Sequence, residues 1–147
     1  MYERILVAVD DSATSARAVR EAVKLAKRPR SIVRVVHVID LVNINVESVS
    51  DWDRFEDAVR KSGERILKRA TGVVRKSGIA TDSRLLEVRQ VADRIADEVA
   101  REAVQWGADV IVAGTHGRRG VSHMFLGSVA ESIIRVAPKP VLLVRGS

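Results

Sequence analysis

Five short aliphatic runs alternate along this chain with four segments of helical periodicity, and that alternation leaves few folds open. Residues 5–9 (ILVAV) are apolar without interruption, which suits a strand buried on both faces. Residues 32–39 form a second such run, broken only by Arg34 and His37. Residues 80–88 are more polar, as an edge strand would be, and residues 109–114 and 141–144 supply the fourth and fifth. Between them, Ala16, Val19, Val23 and Ala26 recur at helical spacing after Ser12, with Pro29 as the expected stop. A long helix opens at Asp51, with Trp52, Phe55, Val59, Ile66, Ala70 and Val73 on one face and Gly78 at its C-terminal end. Val91, Ile95, Val99 and Ala103 predict a third helix ended by Gly107, and residues 127–137 a fourth, bracketed at its exit by Pro138 and Pro140. Strict alternation of this kind predicts an α/β fold: one doubly wound domain over residues 1–147, with a five-stranded parallel sheet and helices on both faces.

Composition narrows the partners. In 147 residues, 46% are hydrophobic and 30% charged, which supports a packed core and argues against disorder. With 3% aromatics that core is built from Val, Ile, Leu and Ala. There is no cysteine, so disulfides, thiolate metal sites and thiol nucleophiles are excluded, and a reducing, cytoplasmic setting is expected. No apolar run reaches the roughly 20 residues needed to cross a bilayer, and residues 1–9 do not read as a signal peptide. Seven basic residues from Arg17 to Arg34 face one acid, Glu21, and so hold the whole excess charge of +6. A basic face attracts nucleic acid or other anions, or it is a solvated helix surface. No aromatic residue interleaves the charges for base stacking, so nucleic acid is not the expected partner.

In open parallel sheets, ligands bind beyond the carboxyl ends of the strands, where the strand order reverses. Two segments there carry suitable chemistry. After the first strand comes Asp10-Asp11-Ser12. Asp10 is placed to accept hydrogen bonds from a ribose or an adenine amino group, or else Asp10 or Ser12 simply caps the first helix. After the fourth strand, Gly114 and Gly117 allow a sharp turn and a close approach to backbone N–H groups. Gly127-Ser128 then begins a helix, whose N-terminus attracts phosphate. The loop lacks G-x-x-x-x-G-K-[ST] and G-x-G-x-x-G, and Ser128-x-x-Glu131 also reads as a capping box that needs no ligand.

Taken with ILVAVDDS at the start, HVID after the second strand and GSVAESIIRVAPKPVLLVR at the end, this loop resembles the nucleotide-binding branch of the universal stress protein family. The pattern G-x2-G-x9-G-[ST] is met by Gly114, Gly117, Gly127 and Ser128. The resemblance implies a Rossmann-like sheet of order 3-2-1-4-5, with the first and fourth strands adjacent. It also implies ATP in the crevice between them. Asp10 would then contact the nucleoside beside Ala8 and Val9, and Val38 would meet adenine through its backbone. Ala113 and Gly114 would lie under the sugar, with Gly117, Gly127, Ser128 and Val129 donating to the phosphates. A Mg²⁺ or Mn²⁺ ion would ride on phosphate oxygens, and the fifth strand would join two copies in a homodimer. Asp11 stands where the family often has Gly or an apolar residue, and its carboxylate either opposes a phosphate or caps the first helix. Glu131 would also oppose an anion near the helix start, and Arg118 and Arg119 either offset that charge or face solvent.

Three functions stay open at this level. The chain is an ATP-binding regulatory switch in a stress response, a slow ATPase or nucleotide-transferring enzyme, or a scaffold whose site is empty or holds another anion and whose basic patch is open to nucleic acid. The absence of a P-loop lysine and of a readable acid/base pair disfavours the enzyme. His37, His116 and His123 are too scattered to predict catalysis or a metal site. The retained glycines disfavour the scaffold.

Overall fold

The structure, a computed structural model, describes residues 2–44, 49–116 and 127–146. The strands are β1 (Arg4–Ala8), β2 (Ile32–Ile39), β3 (Ala80–Glu87), β4 (Val110–Gly114) and β5 (Val141–Val144); the helices are α1 (Ala13–Leu25), α2 (Trp52–Lys76), α3 (Ile95–Trp106) and α4 (Ser128–Val136). All strand pairs are parallel, and the order is β3-β2-β1-β4-β5. The doubly wound sheet read from the alternation is therefore present, with the polar β3 at one edge and β5 at the other.

Side chains alternate across the sheet and build one core on each face. Ile5, Val7, Val33, Val35 and Val112 pack under α1 and α2, against Ala18, Ala22, Leu67 and Val74. Leu6, Val36, Ile111 and Ala113 pack under α3 and α4, against Ala96, Val99, Ala103 and Ile133. A central strand buried on both sides has no need of polar alternation, which is why β1 and β4 read as unbroken apolar runs.

Several boundaries and helix phases differ from the periodicity. The buried residues of α1 are Ser15, Ala18, Val19 and Ala22, whereas Ala16 is exposed. Val19 and Ala26 of the predicted face are buried and Val23 packs against the same core, while Ser15 takes the inward place expected of Ala16 and its hydroxyl accepts the N–H of Asp10 (2.8 Å). Nor does Pro29 end it. Ala26 adopts φ −80°, ψ 63°, and Lys27 N donates to Leu25 O (2.9 Å), an inverse γ-turn four residues earlier than expected after Leu25. In α2 the sheet-facing stripe is Gly63, Leu67, Ala70 and Val74, and Val73 lies outside it. Val91 is 76% exposed and precedes α3, which begins where the Asp97 carboxylate accepts the N–H of Arg94 (2.8 Å).

Arg34 does not belong to the basic helix face. It lies on the sheet, where its guanidinium makes two bonds to Asp82 (2.8 and 2.9 Å) and one to buried Glu102 (2.8 Å), and stacks 4.7 Å from the Trp106 ring centre. Those hydrogen bonds, led by Asp82, raise its pKa further, so it is always charged.

Candidate functional site

Strand order places the sheet's reversal between β1 and β4, which pair from Ile5↔Val110 to Val7↔Val112. The carboxyl ends of both strands open into one crevice there. On the β1 side, Asp10 Oδ1 accepts the N–H of Ser12 (2.8 Å), and Ser12 Oγ accepts the N–H of Ser15 (3.1 Å). The division of labour left open by the sequence is thereby resolved. Ser12 is the N-cap of α1, and Asp10 closes the turn ahead of it. Val9 continues the strand, donating its N–H to Val36 O (2.9 Å), and its carbonyl accepts from His37 Nδ1 (2.7 Å). A carbonyl only accepts, so His37 carries a proton on Nδ1 and ties β2 to the residue before Asp10.

The bond from Val9 to Val36 is the last rung between β1 and β2. In a parallel ladder, alternate residues bond to opposite neighbours. Ile39 O accepts from Val88 N (3.0 Å) on the β3 side, so the N–H and C=O of Val38 face the other way, past the point where β1 turns off. Neither group has a hydrogen-bond partner among the described residues. The Val38 side chain is buried under α3 and α4 with Ala113, and Ala8 packs against the same cluster. Val9 points to the opposite face, toward α1 and α2. Ala8 and Val9 therefore do not form one wall.

On the β4 side, Gly114 is small for a reason other than a ligand. A Cβ there would lie 2.6 Å from Thr14 Cγ2 and 3.3 Å from the Thr14 backbone carbon, so the first turn of α1 fills that space. Thr115 N donates to Val144 O (2.9 Å), and Thr115 O accepts from Gly127 N (2.7 Å), which brings the start of α4 back to the end of β4. Gly117 lies outside the described residues, as do Arg118, Arg119 and His123.

The capping-box reading of Ser128 does not hold. Gly127 is the N-cap, without a side-chain bond, and Ser128 is the first helical residue. Glu131 instead leans toward Arg135, one turn on (3.6 Å), so its charge is drawn away from the helix start. The N–H groups of Ser128, Val129 and Ala130 have no hydrogen-bond partner among the described residues, and Ser128 and Val129 are exposed. Such an end carries the positive pole of the helix dipole.

Sequence reasoning missed Thr14, Thr115 and Ser15 as builders of the crevice. Only Ser15 had a signal, the repeated Ser-x-x-Ser after Asp10. Among the described residues, no three His, Asp or Glu side chains gather as a metal site would require.

An open parallel sheet with a polar turn and a helix N-terminus at its reversal defines a doubly wound α/β protein with a switch-point crevice. The family model for the universal stress protein family matches residues 1–145, and the chain belongs to that family. It is 35% identical over 144 residues to a putative universal stress protein of Staphylococcus epidermidis, covering 98% of this chain and 84% of that one. A universal stress protein family member from Burkholderia pseudomallei superposes with a TM-score of 0.76 at 34% identity, covering 97% and 96% of the two chains. The universal stress protein from Archaeoglobus fulgidus in complex with dAMP does so with 0.67 at 30% identity, covering 97% and 98%.

Proposed function

We propose that this chain binds an adenine nucleotide, ATP in particular, in the crevice between β1 and β4 and acts as a nucleotide-dependent regulatory protein in a stress response. The observation that carries the reading is the set of three N–H groups at the start of α4 that have no partner among the described residues, at the same carboxyl edge as the Val38 backbone and the Asp10 turn. Main-chain amides at a helix N-terminus suit phosphates; those of Ser128 and Val129 lead, and Gly127, whose own N–H is held by Thr115 O, keeps the approach clear of a side chain. A peptide N–H beside a C=O suits the donor and acceptor edge of adenine, which is the role of Val38. Asp10 suits the ribose or the base amino group, with Ala113 and Gly114 beneath the sugar. The dAMP complex of the Archaeoglobus fulgidus relative supports the adenine class. Gly117 completes the motif as a further amide donor. A Mg²⁺ or Mn²⁺ ion fits the site as a companion of the phosphates, which would supply most of its oxygen ligands.

Calorimetry on variants tests this. Gly127 has φ −65° and ψ 158°, open to any residue, so Gly127→Val folds normally while its branched side chain obstructs the amides. ATP affinity falls at least about tenfold in that variant. Asp10→Ala weakens ATP more than inorganic triphosphate. Unchanged ATP affinity in Gly127→Val, with an unchanged melting curve, would refute the site. Turnover, if measured, stays below the roughly 1 per second of slow ordinary enzymes.

A further inference from the structure

A groove of about 400 Å³ runs between α1 and α2 and, among the described residues, shares with the crevice the turn after β1. Its α2 wall is formed by Arg65, Ile66, Arg69, Ala70 and Val73. These positions recur at three- and four-residue spacing and flank the stripe that packs on the sheet. The α1 wall contributes Ala16, Val19 and Arg20 at the same spacing. Along α2 the stretch from Ser62 to Val73 measures about 16 Å, the length of about three turns of an incoming helix.

The floor is apolar and partly uncovered, since Val73 is 40% exposed and Ile66 half-buried. Three arginines rim it. Elsewhere Arg34, Arg60, Arg84 and Arg101 are engaged by carboxylates. Arg20, Arg65 and Arg69 are exposed and have no hydrogen-bond or ion-pair partner among the described residues. An apolar trough with guanidinium groups along its rim complements an amphipathic helix whose flanks are acidic. Asp10 and Asp11 stand at the mouth of the groove, at the carboxyl edge of the sheet.

We infer that this groove is a docking site for an acidic amphipathic helix of a partner protein. The inference does not rest on nucleotide binding, and its test is run without nucleotide. The probe is a fluorescein-labelled peptide of about 14 residues, stapled into a helix on its outer face, with Leu at positions i, i+3, i+4 and i+7, Glu at the positions flanking them and Ala or Gln elsewhere. Fluorescence anisotropy at physiological salt should show saturable binding to the wild-type chain. The double variant Arg65→Glu/Arg69→Glu should lose about tenfold or more, whereas Arg17→Glu/Arg30→Glu, outside the groove, should lose less than about threefold. A peptide with Lys for every Glu should bind at least about tenfold more weakly. Should the double arginine variant fail to fold, Val73→Glu takes its place, because it sets a carboxylate on the exposed floor. Absence of saturable binding overturns the inference, as does equal loss in both double variants, the signature of bulk charge. It is also overturned if the peptide fails to bind and sedimentation shows self-association that Arg65→Glu/Arg69→Glu abolishes. The occupant would then be a second copy of this chain.

Discussion

At the scale of single residues, the glycines of this chain do unlike things despite looking alike in the sequence. Gly114 is required by a neighbour 100 positions away, since Thr14 occupies the place of its missing Cβ. Thr14 is anchored in the first turn of α1 and cannot swing aside, so Gly114→Ala should cost about 1–3 kcal/mol in overpacking. Gly72 sits inside α2 with nothing within 4 Å of the place a Cβ would take. Gly72→Ala should therefore add about 0.5–1 kcal/mol by removing backbone entropy from the unfolded chain. Urea denaturation of both variants checks the pair, and a destabilised Gly72→Ala would contradict the open space around it. The acid pair after β1 shows the same limit. Two adjacent aspartates and a serine announce a capped turn, but which oxygen meets which N–H is set by how α1 lands on the sheet.

At the scale of elements, the sheet's lower edge has its own fastening. Asp109, just before β4, accepts the N–H groups of Glu3 and Arg4 (2.9 and 2.8 Å) and donates its own N–H to Arg4 O (2.7 Å). The hydrogen bond from the Arg4 N–H, aided by that from Glu3 and by nearby positive charge, lowers the Asp109 pKa below the ordinary aspartate value. A carboxylate with a depressed folded pKa stabilises fully above its unfolded value, about 4, and loses that contribution as pH falls through the folded value. Asp109→Ala should accordingly melt at a lower temperature than wild type at pH 7, and the gap should close in strongly acid solution. A gap that does not depend on pH would mean that packing, not the charged acceptor, supplies the effect. Helix existence was legible throughout, because each helix has an apolar face. Helix phase was less so. Ser15, Thr71 and Glu102 are polar residues on buried faces, each held by hydrogen bonds to groups that periodicity does not register.

At the scale of the whole molecule, both sheet edges follow from the strand order. Edge β3 carries Asp82, Arg84 and Glu87, charges of the kind that discourage further pairing. Edge β5 is VLLV, with Leu142 36% exposed, and Ile134 and Val136 of α4 are also exposed. An apolar edge strand invites a partner, and we propose that two copies join there as a homodimer. Light scattering at micromolar concentration should report a dimer mass, and Leu142→Arg should shift it to the monomer. A monomeric wild type would dispose of the proposal.

By itself the sequence determined the kinds of element, their alternation, the sheet's parallel sense and the family. These depend on residues near one another in the chain, where apolar period, turn chemistry and motif spacing are written directly. Tertiary structure alone decided that Gly114 makes room for a threonine, that the Val38 N–H and C=O have no partner among the described residues and that three arginines converge on one groove. Each of those facts is a distance between residues from separate elements. Such distances arise only when strands pair in a particular order and helices settle on them at particular angles, which no local pattern encodes.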